Sequence, residues 1–143
     1  MPMAAVATML GLMLLLGGVV GGLRADAEDA ETDGGRRDRI LIEAVEAASG
    51  LDFYNARCRG DLSGRHTDNL NKLLVSRQRT TVLRVKDERF PEHDYRRVQE
   101  RLEAGQQDML NAAGGCQEAR KTDLPGHLRE RHETAMQAVR SLP

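Results

Sequence analysis

The chain has 143 residues, with 21 Lys and Arg against 22 Asp and Glu and a net charge of −1 at neutral pH. That length suits one compact domain once an N-terminal address segment is set aside. With no Trp and only Phe53, Tyr54, Phe90 and Tyr95 as aromatics, a large aromatic core is excluded.

From Met3 to Leu23 there is no charged residue. An apolar middle between Ala4 and Leu16 gives way to Gly17-Gly18 and Gly21-Gly22, which weaken a helix, and then to Ala25-Asp26-Ala27. This order matches a secretory signal peptide with a small-residue cleavage site, leaving Glu28 as the new N-terminus. The cationic start of such a peptide is missing, which keeps a second reading open. In that reading the segment is retained as a single-pass helix, since about 20 apolar residues span a bilayer. Its G-x-x-x-G pairs would let two copies approach closely. No cysteine lies near the site, so a lipid anchor is not expected.

Residues 28–37, EDAETDGGRR, carry no large apolar side chain and read as an acidic, solvated tail. The domain proper is then residues 38–143. Leu, Ile, Val and Phe make up 22 of those 106 positions, just above the level of about 20% below which chains tend to stay disordered. Such a chain folds with a thin core.

Helical spacing dominates this region, and the expected fold is an all-α, up-down bundle of about four helices. The first helix runs from about Asp38 to Cys58, with Leu41, Ala44, Ala48, Leu51 and Cys58 in phase and Ser49-Gly50 as a possible break. After the loop Arg59–Gly64, Thr67 or Asp68 caps a second helix reaching Lys86 and carrying Leu70, Leu73, Leu74, Val82 and Val85. Its end, residues 79–85, is β-branched enough to suit a strand instead, though no other stretch offers a partner. A third helix starts at Pro91, with Tyr95, Val98, Leu102, Met109 and Ala113 in one stripe. Gly114-Gly115 ends it. After the breaker run Lys121 to Gly126, a fourth helix carries Leu128, Ala135, Met136 and Val139.

Two cysteines, Cys58 and Cys116, remain after export, and an even count in an oxidising compartment implies one disulfide. In an up-down bundle, helices one and three run parallel, so both cysteines fall at the same end. Neither sits in C-x-x-C, and a redox-active pair is not expected.

The middle of the domain is basic. Arg57, Arg59, Arg65, Lys72, Arg77, Arg79, Arg84 and Lys86 stand against Asp61 and Asp68. Read functionally, they form a surface for an anionic envelope component or an acidic envelope protein. Nucleic acid is not expected, because the stretch lacks stacking aromatics. Helical projection puts Lys72, Arg79 and Lys86 on one side and Arg77 and Arg84 on another, which favours a solvated flank over a single patch.

No catalytic constellation emerges. His66, His93, His127 and His132 include no i, i+4 pair and no H-E-x-x-H, so neither a metal nor another cofactor is implied. Ser63 lies three residues before His66, which keeps a small hydrolase as a minor alternative, but G-x-S-x-G is absent. Arg59-Gly60-Asp61 matches the integrin-binding triplet in letters only. The sequence therefore points to a small exported, periplasmic or secreted, non-enzymatic binding protein: an adaptor, inhibitor or chaperone-like module. The alternative is a membrane-anchored structural subunit that keeps its N-terminal helix.

Overall fold

The computed structural model describes residues 32–143, which fold as six helices with no strand among them. The helices are α1 (Asp33–Arg59), α2 (Arg65–Gln78), α3 (Val82–Glu88), α4 (Tyr95–Ala112), α5 (Gly115–Ala119) and α6 (Leu124–Arg140). The signal-peptide and anchor readings fall outside the described residues. Among the described residues, no helix is long and apolar enough to cross a membrane.

The longest helix, α1, is the axis of the fold. It packs against α6, α2 and α4. Its first residues lie against the end of α6, where Asp33, Arg36 and Ile40 share a surface recess with Ala138 and Leu142. Further along, Leu51 and Tyr54 pack with Leu128 near the start of α6. The two helices therefore run antiparallel.

Helix α1 starts earlier than the composition suggests. Thr32 accepts a hydrogen bond from the amide of Gly35, and Asp33 sits in the first turn, favourably placed toward the helix dipole. Residues 33–37, expected as tail, are thus helical, although most remain exposed. Nor do Ser49 and Gly50 break the helix. Gly50 is buried against Leu128, and the packing of this face outweighs a propensity penalty of about 1 kcal/mol.

The expected second helix is two. Arg79 turns into the left-handed region, with φ of 52°, and α2 stops. Thr81 then caps α3 by accepting from the amide of Arg84, while Asn71 accepts from the amide of Val82. β-Branched Thr80, Thr81 and Val82 are poor helix formers, and the side-chain caps give the backbone a better alternative. The strand reading of this stretch is also set aside, since Val82–Glu88 is helical.

The third expected helix begins at Tyr95 rather than Pro91. Asp94 is its N-cap, accepting from the amides of Arg96 and Arg97, and Pro91 belongs to the preceding turn. Tyr95, assigned to the apolar stripe, is 39% exposed. Leu110 is buried instead, in the same cluster against which Met109 packs. Helix α6 begins inside the expected breaker run, because Pro125 in its first turn needs no amide partner.

Cys58 and Cys116 form a disulfide with their Cα atoms 5.2 Å apart. It joins the last turn of α1 to α5, just beyond the end of α4. The main core gathers Leu41, Val45, Leu70, Leu74, Val85, Phe90, Val98 and Val139, all nearly inaccessible. A smaller cluster of Leu51, Tyr54, Leu110, Ala119 and Leu128 surrounds the disulfide. The cross-link lies where large aliphatic side chains are few.

Candidate functional site

A cleft of about 550 Å³ opens between α1, the loop leading into α2, and the paired helices α3 and α4. This volume lies in the range of small-molecule sites. Its apolar walls are Val45, Phe53, Ala56, Leu62 and Val82. Leu62 stands on the rim and is 83% exposed.

Lys86 lines this cleft and is the least expected residue in it. It falls one turn after Val82 and beside Val85, so the amphipathic pattern of α3 carries it inward. Only 9% of it is accessible. Its stem packs with the apolar stripe while its ammonium reaches the cleft, a division of labour open to long cationic side chains. Burial pushes its pKa down, and the charge of Glu103 partly opposes that shift. Nζ donates to Gln99 Oε1 at 2.5 Å, and Gln99 Nε2 donates on to Glu103 Oε1 at 2.6 Å.

Arg57 lines the same cleft from α1. Its guanidinium lies 5.4 Å from the centroid of the Phe53 ring. Among the described residues it has no carboxylate partner. Two of the cleft's carboxylates, Asp52 and Asp61, are committed elsewhere. Asp52 Oδ1 accepts from the His66 amide at 3.2 Å and from His66 Nδ1 at 2.7 Å, and its Oδ2 accepts from the Thr67 amide at 2.8 Å. Asp61 accepts from the amide of Ser63 and faces Arg65. The Ser63 hydroxyl and amide, with Arg65 and His66 nearby, hold the Asp61 carboxyl below its ordinary range against a small effect of burial.

Behind Asp52 the His66 ring meets His132 edge to face, with centroids 4.9 Å apart. Burial holds the His132 pKa down, and neighbouring His66 adds to the effect, against the charges of Asp52 and Glu133. Its Nε2 is buried and without a hydrogen-bond partner among the described residues. His132 also lines a second groove, between α2 and α6, with Lys72, Leu73, Met136 and Arg140. Asp52 and His66 are thus hydrogen-bonded beside the cleft, and the His66 ring touches the ring of His132, which lines the groove.

Of the eight basic residues read from the sequence, the structure brings Arg57 and Lys86 into one cleft. Arg59 and Arg65 flank the loop that leads to it, with Arg65 paired to Asp61. Lys72 lines the other groove. Arg77 and Arg79 lie at the end of α2, and Arg84 pairs with Glu88 along α3. Ser63 and His66 face different partners: Ser63 bonds to Asp61, and the His66 ring bonds to Asp52.

Sequence reading placed Lys86 on a surface. Its position one turn from Val82 was the available signal that it turns inward. It missed the meeting of His66 and His132 because 66 residues separate them and no local spacing reports it. Comparison with protein-family models, with curated proteins and with solved structures gives no match.

Proposed function

We propose that this protein is a small exported binding protein that acts without catalysis, as an adaptor, inhibitor or chaperone-like module for an anionic envelope component. The observation that carries this reading is the cleft that brings the Arg57 and Lys86 cations together beside Val45, Phe53 and Val82, in a lining that also includes Asp52, Asp61 and Glu103. Clefts of this size that set polar groups beside apolar surface are a usual form of ligand site. The Cys58–Cys116 disulfide supports an oxidising compartment, because such bonds persist outside the reducing cytosol.

The test is titration of isotope-labelled full chain, as purified from its cellular fraction, with a library of anionic, neutral and cationic small molecules. Saturable shifts confined to cleft residues support the reading. A library that leaves the cleft unmoved, or a compound that is turned over at enzyme-like rates, defeats it. N-terminal mass analysis of the same preparation tests export: a start at Glu28 fits cleavage. An intact Met1 in membranes fits the anchored structural subunit, for which the overlapping glycine pairs argue.

A further inference from the structure

We infer that the cleft between α1, α3 and α4 binds a small organic oxyanion, a carboxylate or phosphate ester on a compact apolar body, held by Lys86 and Arg57. This deepens the binding-protein reading and rests on it.

The argument is an inventory of unused bonding capacity. An ammonium has three N–H donors. Lys86 gives one to Gln99, and no other acceptor among the described residues engages it. Arg57 brings a planar guanidinium with donors suited to gripping two oxygens at once, and it is held over Phe53 rather than by a carboxylate. The negative groups around the cleft are partly engaged within the protein. Asp52 has both oxygens engaged by the start of α2 and by His66, Asp61 is held by Ser63 and Arg65, and Glu103 accepts from Gln99 through Oε1 alone. An oxyanion entering the cleft meets N–H donors of Lys86 and Arg57 that no carboxylate of the described residues engages.

Burial sharpens the point. An ammonium removed from water loses solvation that pairing must restore. A Leu or Met at position 86 would fill the same stripe of α3 without that loss. Gln99 is the one hydrogen-bond partner of Lys86 among the described residues and Glu103 offsets the burial only in part, and a bound anion would add a direct ion pair.

The other lining groups limit the ligand further. Gln106 donates its amide to Ser49 and Gln107 to Asn111, so each keeps a side-chain carbonyl free to accept. Such acceptors suit a hydroxyl or amide N–H on the ligand. Phe53, Val45 and Val82 supply the surface for its apolar body.

The experiment is calorimetric titration of the full chain with benzoate, phenyl phosphate, benzyl alcohol and benzylamine at low ionic strength. Benzoate or phenyl phosphate is expected to bind at least tenfold more tightly than either uncharged or cationic analogue. The stronger of the two identifies the headgroup. Lys86→Met, which keeps the stem and removes the charge, is expected to weaken that binding at least tenfold without lowering Tm. Lys72→Met, in the other groove, should leave it unchanged. Equal binding of all four probes overturns the oxyanion assignment while leaving a binding protein. Anion binding that survives Lys86→Met overturns the site. If Lys86→Met unfolds the chain, Arg57→Gln at an exposed position serves in its place, with the same tenfold criterion. If none of the four probes binds, both the inference and the cleft as a small-molecule site fail.

Discussion

Asp52 and His66 hold one another at two points: the same carboxylate oxygen accepts from the imidazole Nδ1 at 2.7 Å and from the backbone amide at 3.2 Å. With Thr67 donating to the second oxygen, a side chain of α1 serves as the N-cap of α2. The residue that occupies the local cap position, Gly64, offers no side chain for the task.

Replacing Asp52 by Ala is therefore expected to destabilise the fold by about 2 kcal/mol, near the upper end for loss of a helix cap, because a charge-assisted bond to His66 goes with it. Asp52→Asn keeps one acceptor and should lose less. Chemical denaturation of both variants checks the order. A loss below about 0.5 kcal/mol for Asp52→Ala would mean that water replaces the carboxylate without penalty.

Acid should weaken the protein through His132. Burial and the neighbouring His66 hold its folded pKa below the ordinary value, so the unfolded chain takes up the proton first. The stability associated with a neutral His132 is complete above the unfolded pKa of about 6.5. It declines as pH falls from there through the folded value. Urea midpoints measured from pH 8 to pH 5 are expected to fall, with a shallower fall in His132→Gln. Exposed His127→Gln should track the parent protein, and identical slopes for all three would remove His132 as the cause.

Reduction of the disulfide should lower stability by about 4 kcal/mol on the chain-entropy model, given a sequence separation of 58 between the cysteines. Hydrogen exchange of Cys58→Ala/Cys116→Ala is expected to loosen residues 51–58 and 110–128 before the main core, since those residues form the small cluster around the bridge. Uniform loosening across the chain would show that the two clusters unfold as one unit.

Three glycines should respond with opposite signs. A Cβ at Gly105 meets nothing within 4 Å, and one at Gly50 meets only Leu128 Cδ2 at 4.0 Å. Ala at either helical position is expected to stabilise by about 1 kcal/mol. Gly114 has φ of +85°, and its added Cβ would lie 3.0 Å from Glu118 Cβ. Gly114→Ala should therefore destabilise by about 1–2 kcal/mol. Thermal melts of the three variants decide it, and a stable Gly114→Ala would show that the α4–α5 corner rearranges freely.

Local pattern was enough to recover the helical class, the approximate courses of α1, α4 and α6, and the pairing of Cys58 with Cys116. These are properties of periodicity and of cysteine count: apolar residues three and four apart define a face, and two cysteines allow a single intramolecular pairing. The breaks were harder to read. The end of α2 depends on Arg79 entering the left-handed region and on Asn71 reaching Val82 eleven residues away, and the start of α4 depends on Asp94 outcompeting Pro91. Such choices differ by about 1 kcal/mol and are decided by hydrogen bonds rather than by hydrophobic spacing.

What tertiary structure alone decided is the chemistry. The sequence shows eight cations in one basic stretch, but only the docking of α3 against α1 and α4 buries Lys86 and sets it in the same cleft as Arg57. The same packing commits Asp52 to α2 and places His132 against His66 across the chain. Helix periodicity records which way a side chain faces on its own element. Which charges meet, and which are left without partners, depends on how the helices are laid against each other.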